Sequence, residues 1–455
     1  MSYKNNKHTI RRGGKFFRLF LLLTVLPNFL FAQFELHFAN GSVLIDAANN
    51  AMHFEIDATV KNLGEEKIDS LTWVFWPNAY TDKSSALAIE FLEDQNGSLH
   101  FAKDQSLGTS ALSWSFTDKN QEFEINQNKV KSEVFKIAVS LNSNQEKTIH
   151  FSFDGVLPDA KFNGFGVNAQ GVFLSHWLPE LAADQNYPVT NSRNRGSWIV
   201  PATYSFELQS NIPLHCFSNL KVVEKDAKQK WLFSNNSLSR DALIMLVKKS
   251  TTFEMNVDEA ALSLHFSGDF PPFNQLASWQ QIAGFLKSEL NYVPLENPHF
   301  FFSQNKGLQS AGNLYLLSET TKQDELEAAI VEQIVHVIAR EKLNINPEKH
   351  PWLVEGLANY YKHLYIQKYY PDKKLLGPFA ETKIARLFDI DHYPIRYQNR
   401  MLYLYMNRQG LDQPLSDPSS AFPRANREAV IKGKSALFFS YVRNYTSERN
   451  FKRSM

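Results

Sequence analysis

Residues 327–361 read EAAIVEQIVHVIAREKLNINPEKHPWLVEGLANYY. Leu326, Ile330, Val331, Ile334, Val335, Val337 and Ile338 leave the first half almost no polar side. The spacing therefore predicts a buried helix rather than an amphipathic one. A polar connection around Asn344–Pro347 follows, and a second helix is predicted to begin near Trp352. Polar groups within a buried helix need a reason to be there. Glu332, Gln333 and His336 are such groups, and Glu332 and His336, four apart, share one face. On the second helix Glu355 comes after His336 with eighteen residues between them.

A helical His-Glu-x-x-His provides two zinc ligands one turn apart and a general base between them. In the gluzincin metallopeptidases a third ligand, a Glu within W-L-x-E-G-x-A, follows after eighteen intervening residues. Trp352-Leu353-Val354-Glu355-Gly356-Leu357-Ala358 carries that segment at that interval. The chain thus resembles the family of aminopeptidase N and leukotriene hydrolase. The resemblance implies metal ligands at His336 and Glu355, but it puts Glu332 at the first His and Gln333 at the general base. A neutral amide cannot take a proton from water, and losing such a base costs roughly 10²–10⁴-fold in rate. Zinc does accept carboxylate oxygens, so Glu332, His336 and Glu355 are the set that would hold a metal. The competing reading is an active zinc metallopeptidase of aminopeptidase type built on that rearranged set with another base.

Two further family positions are altered. Residues 307–319 (GLQSAGNLYLLSE) align with the strand bearing G-x-M-E-N, whose Glu binds the substrate's amino terminus in these aminopeptidases. Ser310 stands there and carries no charge. Lys432-Gly433 resembles the K-G that follows the family's oxyanion tyrosine, which places Val430 at the tyrosine. Losing one oxyanion donor costs on the order of 10²–10³-fold; Tyr397, Tyr403 and Tyr405 are the substitutes at hand. The family continues through further helices, so the expectation is a peptidase domain incomplete at its C-terminal end.

Residues 1–32 hold six basic residues, no acidic ones, and the apolar run Leu19–Leu26 ahead of Pro27 and Ala32. This is the pattern of a secretory signal, and it implies a periplasmic or extracellular protein. Without that segment 42 basic residues face 47 acidic ones, which argues against a nucleic-acid partner. Cys216 is the single cysteine and has no partner for a disulfide within the chain; Leu214 and Phe217 beside it suggest a buried, inert thiol. From Gln33 to about Ser250 alternating stretches (Ala51–Val60, Glu133–Val139, Thr148–Phe153, Thr203–Leu208, Ala242–Val247) read as strands. Trp73–Tyr80 and His176-Trp177-Leu178-Pro179 resemble segments of the N-terminal domain of some bacterial relatives; the tryptophans read as core.

The expected architecture is a signal segment (1–32), an antiparallel β-sandwich (33–257) and a thermolysin-like α+β domain with a buried helix pair (258–455). The expected function is an exported, non-catalytic relative of zinc aminopeptidases with a groove for a peptide or protein partner. No cofactor is expected, zinc being the one the resemblance would supply.

Overall fold

The computed structural model describes residues 33–85, 107–116, 130, 132–160, 164–183, 199–226, 229–257, 260–267, 275–292, 298–302, 310–317, 322–423 and 426–454. The signal segment and residues 307–309 and 318–319 of the G-x-M-E-N alignment lie outside them.

Buried and exposed residues alternate along Phe34–Asp46 (β1) and Ala51–Asn62 (β2), as they must in strands with one dry face. The first part of the chain continues with Ile68–Val74 (β3), Thr109–Phe116 (β4), Val134–Leu141 (β5), Glu146–Val156 (β6), Phe165–Val167 (β7), Gly171–Leu174 (β8), Glu180–Leu181 (β9), Ala202–Ser210 (β10), His215–Ser218 (β11), Val222–Asp226 (β12), Lys230–Ser239 (β13) and Ile244–Val247 (β14). They form a seven-stranded sheet in the order β12-β13-β10-β1-β2-β6-β4 and two small sheets, β11-β14-β8-β7 and β5-β3-β9. The expected strands are present, with one departure from an all-antiparallel sandwich. β1 and β10 pair parallel; β2 to β9 lie between them in sequence, a connection long enough for a parallel return.

The inner faces meet in an aromatic core. Phe54 packs on Phe153 and Trp177, and Trp73 packs edge-on against Phe151. Trp73, Trp76 and Trp177 are all buried, as the core reading of the tryptophans requires. Burial pushes the Cys216 thiol on β11 up to about 12, which leaves it unreactive at neutral pH.

A second sheet follows, β15-β16-β17-β18, formed by Ser250–Val257, Ala260–Ser267, His299–Phe302 and Leu314–Leu317. β15 and β16 run antiparallel and the other two pairs parallel. β15, within the last residues of the expected 33–257 domain, pairs with β16 along its whole length. Alternation reveals a strand but not the sheet it joins. Helices cover this sheet: Gln275–Leu290 (α1), Gln323–Val337 (α2), Pro351–Tyr369 (α3), Gln398–Arg408 (α4), Ser435–Thr446 (α5) and Glu448–Ser454 (α6). α2 widens into a π-helical turn over Ile338–Lys342 before the connection to α3. Phe173 of the first part meets Phe301 of β17 in a cluster with Phe217, Met245 and Leu314, which joins the two parts.

Two contacts fix α2 and α3. Glu327 of α2 is 1% exposed, and its carboxylate accepts bonds from Tyr365 (2.7 Å), Tyr370 (2.6 Å), Gln323 (2.9 Å), Gln281 (3.2 Å) and Ser278. Bonds to a charged group are worth about 1.5–3 kcal/mol each, and these draw α1, α2 and α3 together. On the far side of α3, a Cβ added at Gly356 would stand 2.2 Å from the Ser435 Cβ. Only glycine permits that crossing of α3 and α5. Gly356→Ala is therefore expected to cost about 1–3 kcal/mol through overpacking. Gly284→Ala, where α1 offers open space, should stabilise by about 0.5–1 kcal/mol. Urea midpoints of the two variants test the contrast.

Candidate functional site

The expected site residues lie where α2 packs on α3 and beside the turn at Ser310 that precedes β18. His336 Nε2 stands 3.5 Å from Glu355 Oε2. Two ligands of one tetrahedral zinc, bound at about 2.0–2.2 Å, are roughly 3.3 Å apart, so this pair keeps the spacing of a metal site. The third member of the expected set does not join it. The Glu332 carboxylate is turned to Lys362, whose Nζ donates to Oε2 at 2.7 Å. Among the described residues, the His and carboxylate triads whose donor atoms all lie within 4.8 Å of one another are His176/Glu180/Asp241 and Asp389/Asp391/His392. Glu332, His336 and Glu355 are not among them.

The electrostatics agree with that geometry. Burial alone would raise the Glu332 pKa, but Lys362, His336 and Lys432 outweigh it and hold the group below the usual carboxylate range. Burial pushes His336 down, against the pull of Glu355 and Glu332, so the imidazole is neutral near pH 7. Lys432 is held charged: burial opposes it, while Glu355, Glu428 and Glu332 together raise its pKa. His336 and Glu355 are thus two donors at metal spacing, while the third carboxylate of the expected set is engaged by Lys362.

The positions aligned with the general base and the amine-binding Glu meet directly. Ser310 Oγ donates to Gln333 Oε1 at 2.7 Å and accepts from the Leu316 N–H at 2.9 Å, and Arg340 donates to the Ser310 carbonyl. Leu314 exchanges two backbone bonds with Ala311. The Leu314 and Leu316 N–H groups are thus paired with the turn before β18. Val430 is fully buried with Phe422 and Ile431 and reaches core rather than groove. Of the substitute tyrosines, Tyr403 bonds to Asp412, Tyr397 packs on Tyr393, and Tyr405 is 60% exposed.

His176, Glu180 and half-buried Asp241 form a hydrogen-bonded group in the first part of the chain. His176 Nδ1 is 2.5 Å from Glu180 Oε1, and Asp241 accepts from the His176 N–H and the Ser175 hydroxyl. Trp177 Nε1 donates to the Ala242 carbonyl beside it. This network ties the His176–Pro179 segment to the turn before β14.

No known family model matches the sequence, and no curated protein does. Solved structures match it. An M1 zinc metallopeptidase from Deinococcus radiodurans superposes with a TM-score of 0.51 at 10% identity, covering 92% of this chain and 84% of that one. A mutant from the same organism bound to a Tyr-Ser-Ala substrate gives 0.53 at 10% identity, covering 92% and 85%. The fold is that of the M1 zinc metallopeptidases. At such identity the likeness establishes the fold alone. Among the described residues, no helix is long and apolar enough to cross a membrane.

Sequence reading named His336, Glu355, Gln333 and Ser310 one by one through the resemblance, and it missed the Ser310–Gln333 bond, Lys362 and Arg340. Lys362 lies seven residues beyond Glu355, two turns along the same face, but no local feature sets it apart from a solvated surface lysine.

Several imidazoles here are buried in their neutral form. Burial, aided by Lys362, drives His363 down to about 4, and burial drives His299 to about 3. Between pH 6.5 and about 4 the unfolded chain takes up protons that these rings refuse, so stability is lost as pH falls through that window. Urea midpoints should drop between pH 7 and pH 4.5, and His363→Gln should flatten the slope by up to one proton.

Proposed function

We propose that this chain is an exported, non-catalytic relative of the M1 metallopeptidases that binds a peptide or protein instead of cleaving one. The observation that carries this reading is the 2.7 Å bond from Ser310 to Gln333. It joins the two positions where an aminopeptidase of this fold needs its amine anchor and its base, and each group satisfies the other. A catalytic groove keeps titratable groups poised for substrate; here the amide has no proton affinity to offer and the hydroxyl is engaged twice. The metal ligands are incomplete, and Val430 offers no hydroxyl to an oxyanion. The basic and apolar pattern of residues 1–32 supports export.

Purified protein incubated with aminoacyl amides and zinc should show no turnover above background. Gln333→Glu alone should not restore it, because Ser310 and Val430 still lack the groups the reaction needs. Chelator-sensitive hydrolysis by the wild type would overturn the reading. Export is tested by fractionation: the full chain should appear outside the cytoplasm, and a chain lacking residues 1–32 should not.

A further inference from the structure

We infer that Lys362 and Lys432 are the resident cation of this site: two ammonium groups do the structural work that a divalent metal does in zinc peptidases of the same fold. The inference rests on the reading of the groove as non-catalytic and deepens it.

The geometry comes from three elements. α2 supplies Glu332 and His336, α3 supplies Glu355 and Lys362, and the π-helical stretch Arg427–Lys434 supplies Lys432. Lys362 Nζ is 2.7 Å from Glu332 Oε2, and the Glu332 side chain is only 13% exposed. Lys432 Nζ is 3.0 Å from Glu428 Oε1. Its carbonyl accepts from Asn359 Nδ2 at 3.2 Å, which pins this stretch to α3 one turn beyond Glu355. Glu355 and Glu332 both act on the Lys432 ammonium and keep it charged despite its burial.

A buried carboxylate stripped of its counter-charge is strongly destabilising. In a metal site the ion answers that need and crosslinks the helices that hold its ligands. Here one lysine bonds α3 to α2, and the other, on the π-helical stretch pinned to α3, pairs with Glu428 in the field of Glu355 and Glu332. A dication entering between His336 and Glu355 would meet the Lys432 charge that Glu355 already faces and would have to compete with Lys362 for Glu332 as a third ligand. The chain therefore needs no metal to hold the helix pair and disfavours one.

The test uses the full chain with zinc chloride as the probe, read by thermal unfolding and equilibrium dialysis. Wild type should take up no stoichiometric zinc, and its melting point should not respond to zinc. Lys362→Met with Lys432→Met should melt lower than wild type without zinc. Zinc should raise its melting point, and adding His336→Ala should abolish that response. Lys362→Arg with Lys432→Arg keeps both charges and should behave as wild type. If the double Met variant does not accumulate folded, the single variants Lys362→Gln and Lys432→Gln carry the same comparison. Stoichiometric, His336-dependent zinc uptake by wild type would overturn the inference, as would lysine variants that match wild type in melting point and zinc response. Chelator-insensitive turnover of an aminoacyl amide would remove the non-catalytic reading while leaving the cation assignment standing, so the two failures are distinguishable.

Discussion

A carboxylate taken out of water must be met by donors or by an opposite charge, and α2 carries two of them five residues apart. Glu327 is answered by neutral donors from α1, from α2 itself and from the end of α3. Glu332 is answered by an ammonium group from the middle of α3. These two solutions set the position of α3 on α2 from opposite sides, and the apolar residues around them fill what is left. The remaining helices follow from that placement. α5 approaches closely because α3 presents Gly356, and Trp352 then stacks on Phe439.

The same rule accounts for the groove. In a working metallopeptidase some groups are left unsatisfied, or paired only with an ion and water, so that substrate can complete them. Here the hydroxyl of Ser310 serves Gln333 and the Leu316 N–H at once, and the Glu332 carboxylate has a fixed partner. Ser310, Gln333 and Glu332 each find a polar partner within the chain. A carboxamide beside a serine and a glutamate beside a lysine are stable pairs in a half-buried site, whereas an isolated general base there would carry a desolvation cost.

The helix pair and the spacing of His336 and Glu355 are legible in the sequence because helical periodicity and a fixed interval are local properties. The approach of Gln333 to Ser310 is legible only through likeness to a known pattern, since nothing local links residues twenty-three apart on a loop and a helix. The partner of Glu332 escapes such reading: Lys362 on α3 looks like any solvated surface lysine until the helices are packed. The parallel pairing of β1 with β10 and the allegiance of β15 to the second sheet escape for a related reason. Period-two alternation says that one face is dry, not which strand lies alongside. Val430 reads as a vacant tyrosine position in the alignment, and the π-helical winding of Arg427–Lys434 directs it into core instead.

The survival of Trp352, Gly356 and Ala358 around an altered site could be taken as a sign of retained catalysis, but their contacts argue otherwise. Gly356 is required by the backbone approach of α5, Trp352 by the rings of Phe438 and Phe439, and Ala358 is fully buried in the same apolar cluster. None of these contacts involves a metal ligand or a reacting group. Packing contacts of this kind hold the frame whatever chemistry the site carries. The motif W-L-x-E-G-x-A is therefore a statement about how two helices meet, and it becomes one about zinc only where the facing helix brings its own His, Glu and His.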